Sequence, residues 1–199
     1  MLRSAKAPTF VILALVIFAA STGPSPAGVY TFDSKRADVS FTYYVGFTSQ
    51  SGRFTDLNGV FHFDRRAPEQ GSIKAVIKTA SLPANAFESQ LKSSDFFNVR
   101  VHPEIRFVSR SVRPIGENRA EYNGDLTMKG VTRPVTLLVV FQPGPSASSA
   151  ASTPTSLEDS PRVIAKARLK RSAFNMTALS YLVNDEIDIQ ISAPLQEKK

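Results

Sequence analysis

The chain contains no cysteine among its 199 residues. It therefore has no disulfide, no thiol nucleophile and no thiolate metal ligand, and it cannot be a lipoprotein acylated at cysteine. Histidine is also scarce, because only His62 and His102 are present. Neither histidine stands in a nucleophile elbow or at metal-binding spacing from the other, and the carboxylates do not cluster either. We expect no catalytic residue, no metal site and no cofactor, so the chain is not expected to be an enzyme.

Concentrated charge of one sign is absent as well. The formal net charge is +7, but the basic residues are scattered singly, without the patch and interleaved aromatics of a nucleic-acid surface. This pattern excludes nucleic acid as the expected partner. The mild positive excess favours solubility or attraction to anionic headgroups, with at most transient contact with a membrane surface.

Only one long apolar run is present, from Phe10 to Ala20. A helix needs about 20 apolar residues to cross a bilayer, so this run is too short for a span, although an uncleaved anchor is the alternative. Two basic residues precede the run and small residues come after it. This order is typical of a signal peptide over residues 1–27, with cleavage after Ser21 or Ala27, and it predicts a periplasmic or secreted protein.

The remainder has the length of one domain, at about 170 residues. We predict a single domain over residues 28–195, followed by a basic tail at 196–199. Gln142 to Pro161 is rich in Ser, Ala, Pro and Thr and predicts a flexible surface loop at 142–161 within that domain. A linker between two domains is the alternative, but the segment after the loop is too short to form a core alone.

Apolar and polar residues alternate with period two along most of this domain, as in half-buried β-strands. The alternating positions are Val39, Phe41, Tyr43 and Val45; Gly59, Phe61 and Phe63; Ile73, Ala75 and Ile77; Ile105 and Phe107; Val163, Ala165, Ala167 and Leu169; Ile187, Ile189 and Ile191. Turn signals include Leu57-Asn58-Gly59 and Pro114-Ile115-Gly116. The pattern predicts an all-β protein of about eight antiparallel strands, as a sandwich or a closed barrel.

A hairpin is predicted in the middle of the chain. Tyr122, Gly124 and Leu126 share one face of its first strand, and Val135, Leu137, Val139 and Phe141 share one face of its second. Lys129-Gly130 between them tolerates positive φ. The inward-facing Gly and Ala residues of the strands leave room for one small ligand, although a core filled by side chains is the alternative.

One segment does not alternate. Asn85 and Glu88 are spaced as a capping box, which predicts a short helix that ends near Leu91 and covers part of the barrel. Phe87 and Leu91 would share its inner face, and Phe96 and Phe97 come next. This aromatic group is expected either to plug one end of a cavity or to be plain core.

Several motifs, taken in order from Tyr30 to Ala193, resemble the YceI-like family of lipid-binding domains. They are Tyr30-Thr31-Phe32-Asp33 with Val39 and Phe41; Gly52, Phe54, Gly59, Phe61 and Asp64; Leu91-Lys92-Ser93-Ser94-Asp95-Phe96-Phe97-Asn98-Val99; Gly124 to Val135; Arg171-Ser172-Ala173-Phe174-Asn175-Met176; and Asp185-Glu186-Ile187. The resemblance implies an extended, lipocalin-like antiparallel barrel whose interior binds a polyprenyl phosphate or a quinone tail, in proteins that are often homodimers. Gln90 departs from the family, which commonly has histidine there, so headgroup contacts are expected to differ.

The combined hypothesis is a carrier that binds one amphipathic isoprenoid-type lipid in a hydrophobic interior. The residues expected to line the interior are Val39, Phe41, Tyr43, Phe61, Phe63, Ile73, Ile77, Phe107, Tyr122, Leu126, Leu137 and Val139, with Phe174 and Met176 at its mouth. Three alternatives stay open: a stress-related interaction protein without lipid, a lipid-modifying enzyme, and a small outer-membrane barrel.

Overall fold

Alternating sequence becomes alternating burial in the computed structural model, which describes residues 28–32, 36–64, 66–83, 86–142 and 160–198. The predicted signal peptide and residues 143–159 of the predicted loop lie outside the described residues. The strands are β1 Gly28–Phe32, β2 Asp38–Val45, β3 Thr48–Phe54, β4 Leu57–Phe63, β5 Ser72–Lys78, β6 Glu104–Gly116, β7 Arg119–Met128, β8 Val131–Gln142, β9 Arg162–Lys170 and β10 Glu186–Glu197. One α-helix, α1, spans Ala86–Leu91.

The strands form one antiparallel sheet that closes on itself. The hydrogen-bonded order runs β1, β4, β5, β6, β7, β8, β9, β10, β2, β3, and β1 also pairs with β10. β1 and β2 lie one after the other along the same edge of β10, and β4 and β3 extend this arrangement by pairing with β1 and β2. The ring therefore has eight strand positions, and the predicted all-β antiparallel barrel with one short helix is confirmed.

The central hairpin turns at the predicted position. β7 and β8 pair from Met128 opposite Val131 to Arg119 opposite Val140, and every second residue of β7 is buried. Lys129 and Gly130 both have positive φ, at 49° and 76°, as the two central positions of a tight type I′ turn require.

Two predicted turns lie inside strands. Leu57-Asn58-Gly59 begins β4, and Gly59 is glycine because a Cβ there would lie 2.0 Å from the carbonyl oxygen of Lys74. Pro114-Ile115-Gly116 ends β6, and the chain turns at 117–118 instead. β10 continues past the predicted domain end at 195, because Gln196 and Glu197 pair with β1.

β3 is absent from the strands predicted by alternation. Its residues Thr48 to Arg53 are polar or glycine, so only pairing with β2 reveals it as a strand. Its other edge has no strand partner in the described sheet. The segment after α1 covers this side, where the Phe97 ring packs edge-on against Phe41 and Phe54 with centroids 5.8 and 5.2 Å away.

Candidate functional site

The barrel interior has two halves with different contents. We call the half below the β7–β8 turn at 129–130 and the β2–β3 turn at 46–47 the upper half, and the half beside the β6–β7 turn at 117–118 the lower half. The upper half contains a cavity of about 310 Å³. All of its lining residues are apolar or aromatic apart from Gln90 and Arg171.

The lower half is filled by aromatic rings, which we call the ring cluster: Tyr30, Phe61, Phe63, Tyr122 and Phe141. Ring centroids are 4.5 Å apart for Phe63 and Phe141, 5.9 Å for Phe61 and Phe63, and 6.0 Å for Phe61 and Tyr122. Such offset and tilted contacts add to the free energy that burial of the rings supplies. Phe61 is fully buried, so this end of the barrel is closed.

β10 crosses both halves and shows the difference directly. Ile187, Ile189 and Ile191 point inward and line the cavity, yet they are only half-buried because the surface they expose faces the hollow. Farther along the same strand Ala193 and Leu195 are fully buried. Packing is therefore complete in the lower half and incomplete in the upper half.

Nine of the residues predicted to line the interior border the cavity. They are Val39, Phe41, Tyr43, Ile73, Ile77, Phe107, Leu126, Leu137 and Met176. The other five are buried outside its lining: Phe61, Phe63 and Tyr122 belong to the ring cluster, and Val139 and Phe174 pack in the core. Strand alternation identifies the side of the sheet to which a residue points, but not its height along the barrel.

Small residues contribute unequally to the hollow. Ala75, Ala165 and Ala167 line it, as the prediction of room inside the barrel requires. Gly124 does not add space, because a Cβ there would lie 2.7 Å from the Phe107 ring. The ring of Phe107 already lies over that glycine.

The segment after α1 contributes to the cavity wall. Leu91, Phe96 and Phe97 are buried and line the cavity, whereas the side chain of Phe87 lies outside the described residues. The aromatic group thus forms the side of the hollow, and the ring cluster forms its floor.

Arg171 is the lining residue that alternation missed and whose environment is least expected. It is only 4% exposed, and its guanidinium donates hydrogen bonds to four carbonyl oxygens. Nη1 donates to Met176 and Ala178, each at 2.7 Å, Nη2 to Val183 at 2.9 Å, and Nε to Asn184 at 3.1 Å. Buried guanidinium requires such partners, and here they fix the loop at 176–184, which we call the mouth loop.

Asp185 fastens the other side of this loop. Its carboxylate accepts hydrogen bonds from the backbone N–H and hydroxyl of Ser172, at 2.8 and 2.7 Å. Burial raises the pKa of the Asp185 carboxyl, but the two Ser172 hydrogen bonds and the charges of Arg171 and Lys170 lower it. Together they hold that pKa below its ordinary value. The two closing motifs noted in the sequence therefore bind each other.

Lys129 joins three of the sequence motifs at the top of the barrel. Its Nζ donates to the carbonyl oxygens of Asp95 at 3.2 Å and Asn175 at 2.9 Å. Burial lowers the pKa of Lys129, and the charge of Asp95 opposes that shift. The β7–β8 turn, the segment after α1 and the residues before the mouth loop are thus fixed relative to one another.

The cavity opens between α1 and the mouth loop. Gln90 and Leu182 are the lining residues that are also exposed in the described structure, so they mark where the hollow meets the surface.

Other kinds of site have little support in the described structure. His62 is exposed on the outer face of β4, and the His102 ring packs against Gly130. No group of three or more potential metal ligands occurs within the described ranges. None of the helices described there is long and apolar enough to cross a membrane.

Comparison with known proteins gives relatives and structural neighbours. A UPF0312 protein of Pseudomonas putida (strain GB-1) is 38% identical over 138 residues, covering 67% of this chain and 72% of that protein. Burkholderia cenocepacia BcnA has a similar structure, with a TM-score of 0.69 at 24% identity over 83% of this chain and 99% of that one. A polyisoprenoid binding domain from Saccharophagus degradans has a TM-score of 0.58 at 12% identity, over 85% and 98% of the two chains.

The similar structures show the barrel fold, and the sequence match adds the family. The YceI-like domain matches residues 30–195. This range includes β2 to β9, most of β1 and β10, and the mouth loop with the motifs that fasten it. The chain therefore belongs to the YceI-like family.

Proposed function

We propose that this protein is a periplasmic or secreted carrier that holds one amphipathic lipid, with its isoprenoid-type tail in the upper half of the barrel. The observation that carries the proposal is the apolar cavity of about 310 Å³ in a barrel whose other half is closely packed. A hollow lined by hydrocarbon disfavours water and favours an apolar chain.

Burial of an isoprenoid-type tail in this hollow is energetically favourable. Burial contributes about 0.8 kcal/mol per methylene-sized group, so each isoprene unit contributes roughly 3 to 4 kcal/mol before ordering costs. The volume is at the lower end of the roughly 300 to 1,000 Å³ of small-molecule sites. The cavity therefore suits a short tail or the first part of a longer one, whose remainder would leave through the opening.

The polar group of the lipid is proposed to lie at the opening. Gln90 is the exposed polar residue there, and Arg171 is buried just below the mouth loop. The ligand of the Saccharophagus degradans domain, a polyisoprenoid by its description, is consistent with this class of molecule. Nothing in this arrangement requires chemistry on the lipid, so we propose binding without turnover.

The outer face argues against the outer-membrane alternative. A transmembrane barrel turns apolar side chains to lipid, whereas Lys74, Lys166 and Arg168 are exposed on the outside here and alternate with inward apolar residues. A homodimer of this carrier is compatible with the proposal and does not change the site within each chain.

Mass spectrometry of an organic extract from the purified protein tests the function. We expect an amphipathic lipid with an isoprenoid-type tail, in about one copy per chain. Incubation of the extracted lipid with fresh protein is expected to return it unchanged. A protein that carries no lipid and takes up none from a solution of polyprenol would support the empty interaction protein, and a converted lipid would support an enzyme.

A further inference from the structure

Four large apolar or aromatic side chains are exposed around the cavity opening. They are Tyr44 and Phe47 at the β2–β3 turn and Tyr181 and Leu182 in the mouth loop, and we call them the mouth rim. Phe47 is fully exposed, and Tyr181 is 86% exposed. Exposed rings grouped in this way are rare on a surface that meets only water.

The mouth rim is a built surface. The backbone N–H of Gly46 donates to the carbonyl oxygen of Leu182, and that of Asn184 donates to the carbonyl oxygen of Tyr44, each at 2.9 Å. Val45 and Val183 form a β-bridge between the same segments. The backbones of the turn and the mouth loop, which carry these side chains, are therefore fixed relative to each other.

Folding does not explain the ring at position 47. The β2–β3 turn has two central residues, and Gly46 supplies the positive φ of 58° that the turn needs. Phe47 occupies the second position, which a small polar residue fills equally well. Its fully exposed ring adds nothing to the core and is available to contact a partner outside the chain.

The mouth rim is continuous with the cavity. Leu182 belongs to both, because it lines the hollow and is 44% exposed. Val45 lines the hollow one residue before the turn. A lipid tail that enters or leaves the barrel would pass directly over these side chains.

The charges beside the mouth rim are balanced. Arg168 on β9 pairs with Asp188 on β10 at 2.7 Å, and Lys170 lies opposite Glu186 on the same two strands. Alternating signs leave little net charge, which matches the paired charges of zwitterionic headgroups better than a strongly anionic surface.

We propose that the mouth rim docks on the surface of a phospholipid bilayer and inserts Phe47 and Tyr181 at the headgroup boundary. Aromatic side chains favour that boundary, where an apolar ring meets water. Docking there would place the cavity opening against the bilayer, so that a tail moves between them without crossing water. This purpose rests on the proposed lipid carrier, whereas the docking itself does not.

The absence of tryptophan in the chain makes the test direct. Phe47→Trp and Tyr181→Trp each introduce a single tryptophan into the mouth rim, and Ile115→Trp places one on the exposed surface of the lower half. Vesicles of phosphatidylcholine are added to each variant. We expect a blue shift of emission and protection from an aqueous quencher for the first two variants and no change for the third.

Cosedimentation with the same vesicles measures affinity. The double variant Phe47→Ser with Tyr181→Ser is expected to bind at least about tenfold more weakly than the unaltered protein, and Ile115→Ser is expected to bind equally well. Adding phosphatidylglycerol to the vesicles is expected to change binding by less than about threefold, because the flanking charges balance. Binding of the unaltered protein to the vesicles is also measured, and that result does not depend on how well any variant folds.

Three results would overturn the docking proposal. They are failure of the unaltered protein to bind vesicles, an equal response of Ile115→Trp, and a blue shift that depends on protein concentration without vesicles. The last would assign the mouth rim to a second copy of this chain. None of these results changes whether lipid is found in the organic extract. Failure of docking and failure of the carrier function are therefore distinguishable.

Discussion

Strand β10 passes through two kinds of interior, and its side chains differ accordingly. Ile189 faces a hollow and is half-buried, whereas Leu195, three alternations farther on, is sealed against its neighbours. The same alternation therefore produces a packed core in the lower half and a cavity in the upper half. Both halves contain aromatic rings, but the rings of the lower half pack against one another across the barrel, as Phe63 and Phe141 do. In the upper half the rings line the wall together with aliphatic residues and alanines and leave a hollow between them.

Truncation should cost most in the lower half. Phe61→Ala removes a fully buried ring and is expected to lower the free energy of unfolding by about 4 kcal/mol. Ile189→Ala, which removes atoms that face empty space, is expected to cost about 1.5 kcal/mol, because the missing neighbours contribute no contacts. Urea unfolding of both variants measures the difference. Equal losses would mean that the two halves are equally packed.

Loss of the buried guanidinium should open the hollow half. Arg171→Met leaves four carbonyl oxygens of the mouth loop without their donor, and we expect a loss of about 3 kcal/mol. Hydrogen exchange of the backbone amides at 176–184 should accelerate, while the backbone amides of the ring-cluster residues should still exchange slowly in the native state. Arg168→Met, at an exposed ion pair, is the matched control and is expected to change stability by less than about 1 kcal/mol. Unchanged exchange in Arg171→Met would deny its role in fixing the loop.

Adding volume tests the same contrast in the opposite direction. Ala193→Phe places a ring where no space exists and is expected to cost about 2 to 3 kcal/mol. Ala167→Phe places the same ring in the cavity, with an expected cost under about 1 kcal/mol and a loss of bound lipid. Thermal unfolding of the two variants with lipid removed compares them. A greater loss of stability for Ala167→Phe than for Ala193→Phe would contradict the presence of a cavity beside Ala167.

The smallest effect concerns the one polar atom of the ring cluster that lacks a hydrogen-bond partner among the described residues, the Tyr122 hydroxyl. Burial raises the pKa of Tyr122 to about 12. In the unfolded chain Tyr122 releases its proton near the ordinary pKa of 10.0. The folded protein therefore keeps its full stability with respect to this group below pH 10 and loses part of it as the pH rises towards 12.

Tyr122→Phe is therefore expected to change stability by less than about 1 kcal/mol at neutral pH and to reduce the alkaline loss. Unfolding measured at a series of pH values gives both quantities. Tyr181→Phe, which alters an exposed ring, is the control. A loss greater than about 1 kcal/mol at neutral pH would show that the hydroxyl makes a bond that stabilises the lower half.

The alternating sequence predicted which face of the sheet a residue lies on, but not its position along the barrel axis. Alternation placed Tyr122 and Leu126 on the inner face of β7 correctly, yet one joins the ring cluster and the other borders the cavity. That difference depends on how strands from distant parts of the chain are staggered. The local pattern of β7 carries no information about the stagger, so it could not assign Tyr122 and Leu126 to different halves.

Arg171 and β3 illustrate two further limits. A charged residue after a strand normally predicts solvent exposure, and the burial of Arg171 results only from the carbonyl oxygens that the mouth loop turns toward it. β3 is polar and has no alternation of its own, so its place depends on β2. By contrast, the hairpin at Lys129-Gly130 was predictable, because its turn chemistry and both of its strands lie in one continuous stretch.

A crystal structure of the protein purified without any step that removes lipid tests the central claim most directly. We predict continuous density for one tail within the upper half, running from the opening at Leu182 toward Ile73 and Phe107, with the ring cluster below it unchanged. Density confined to the outer surface, or an upper half closed by repacked rings with no tail inside, would contradict the account.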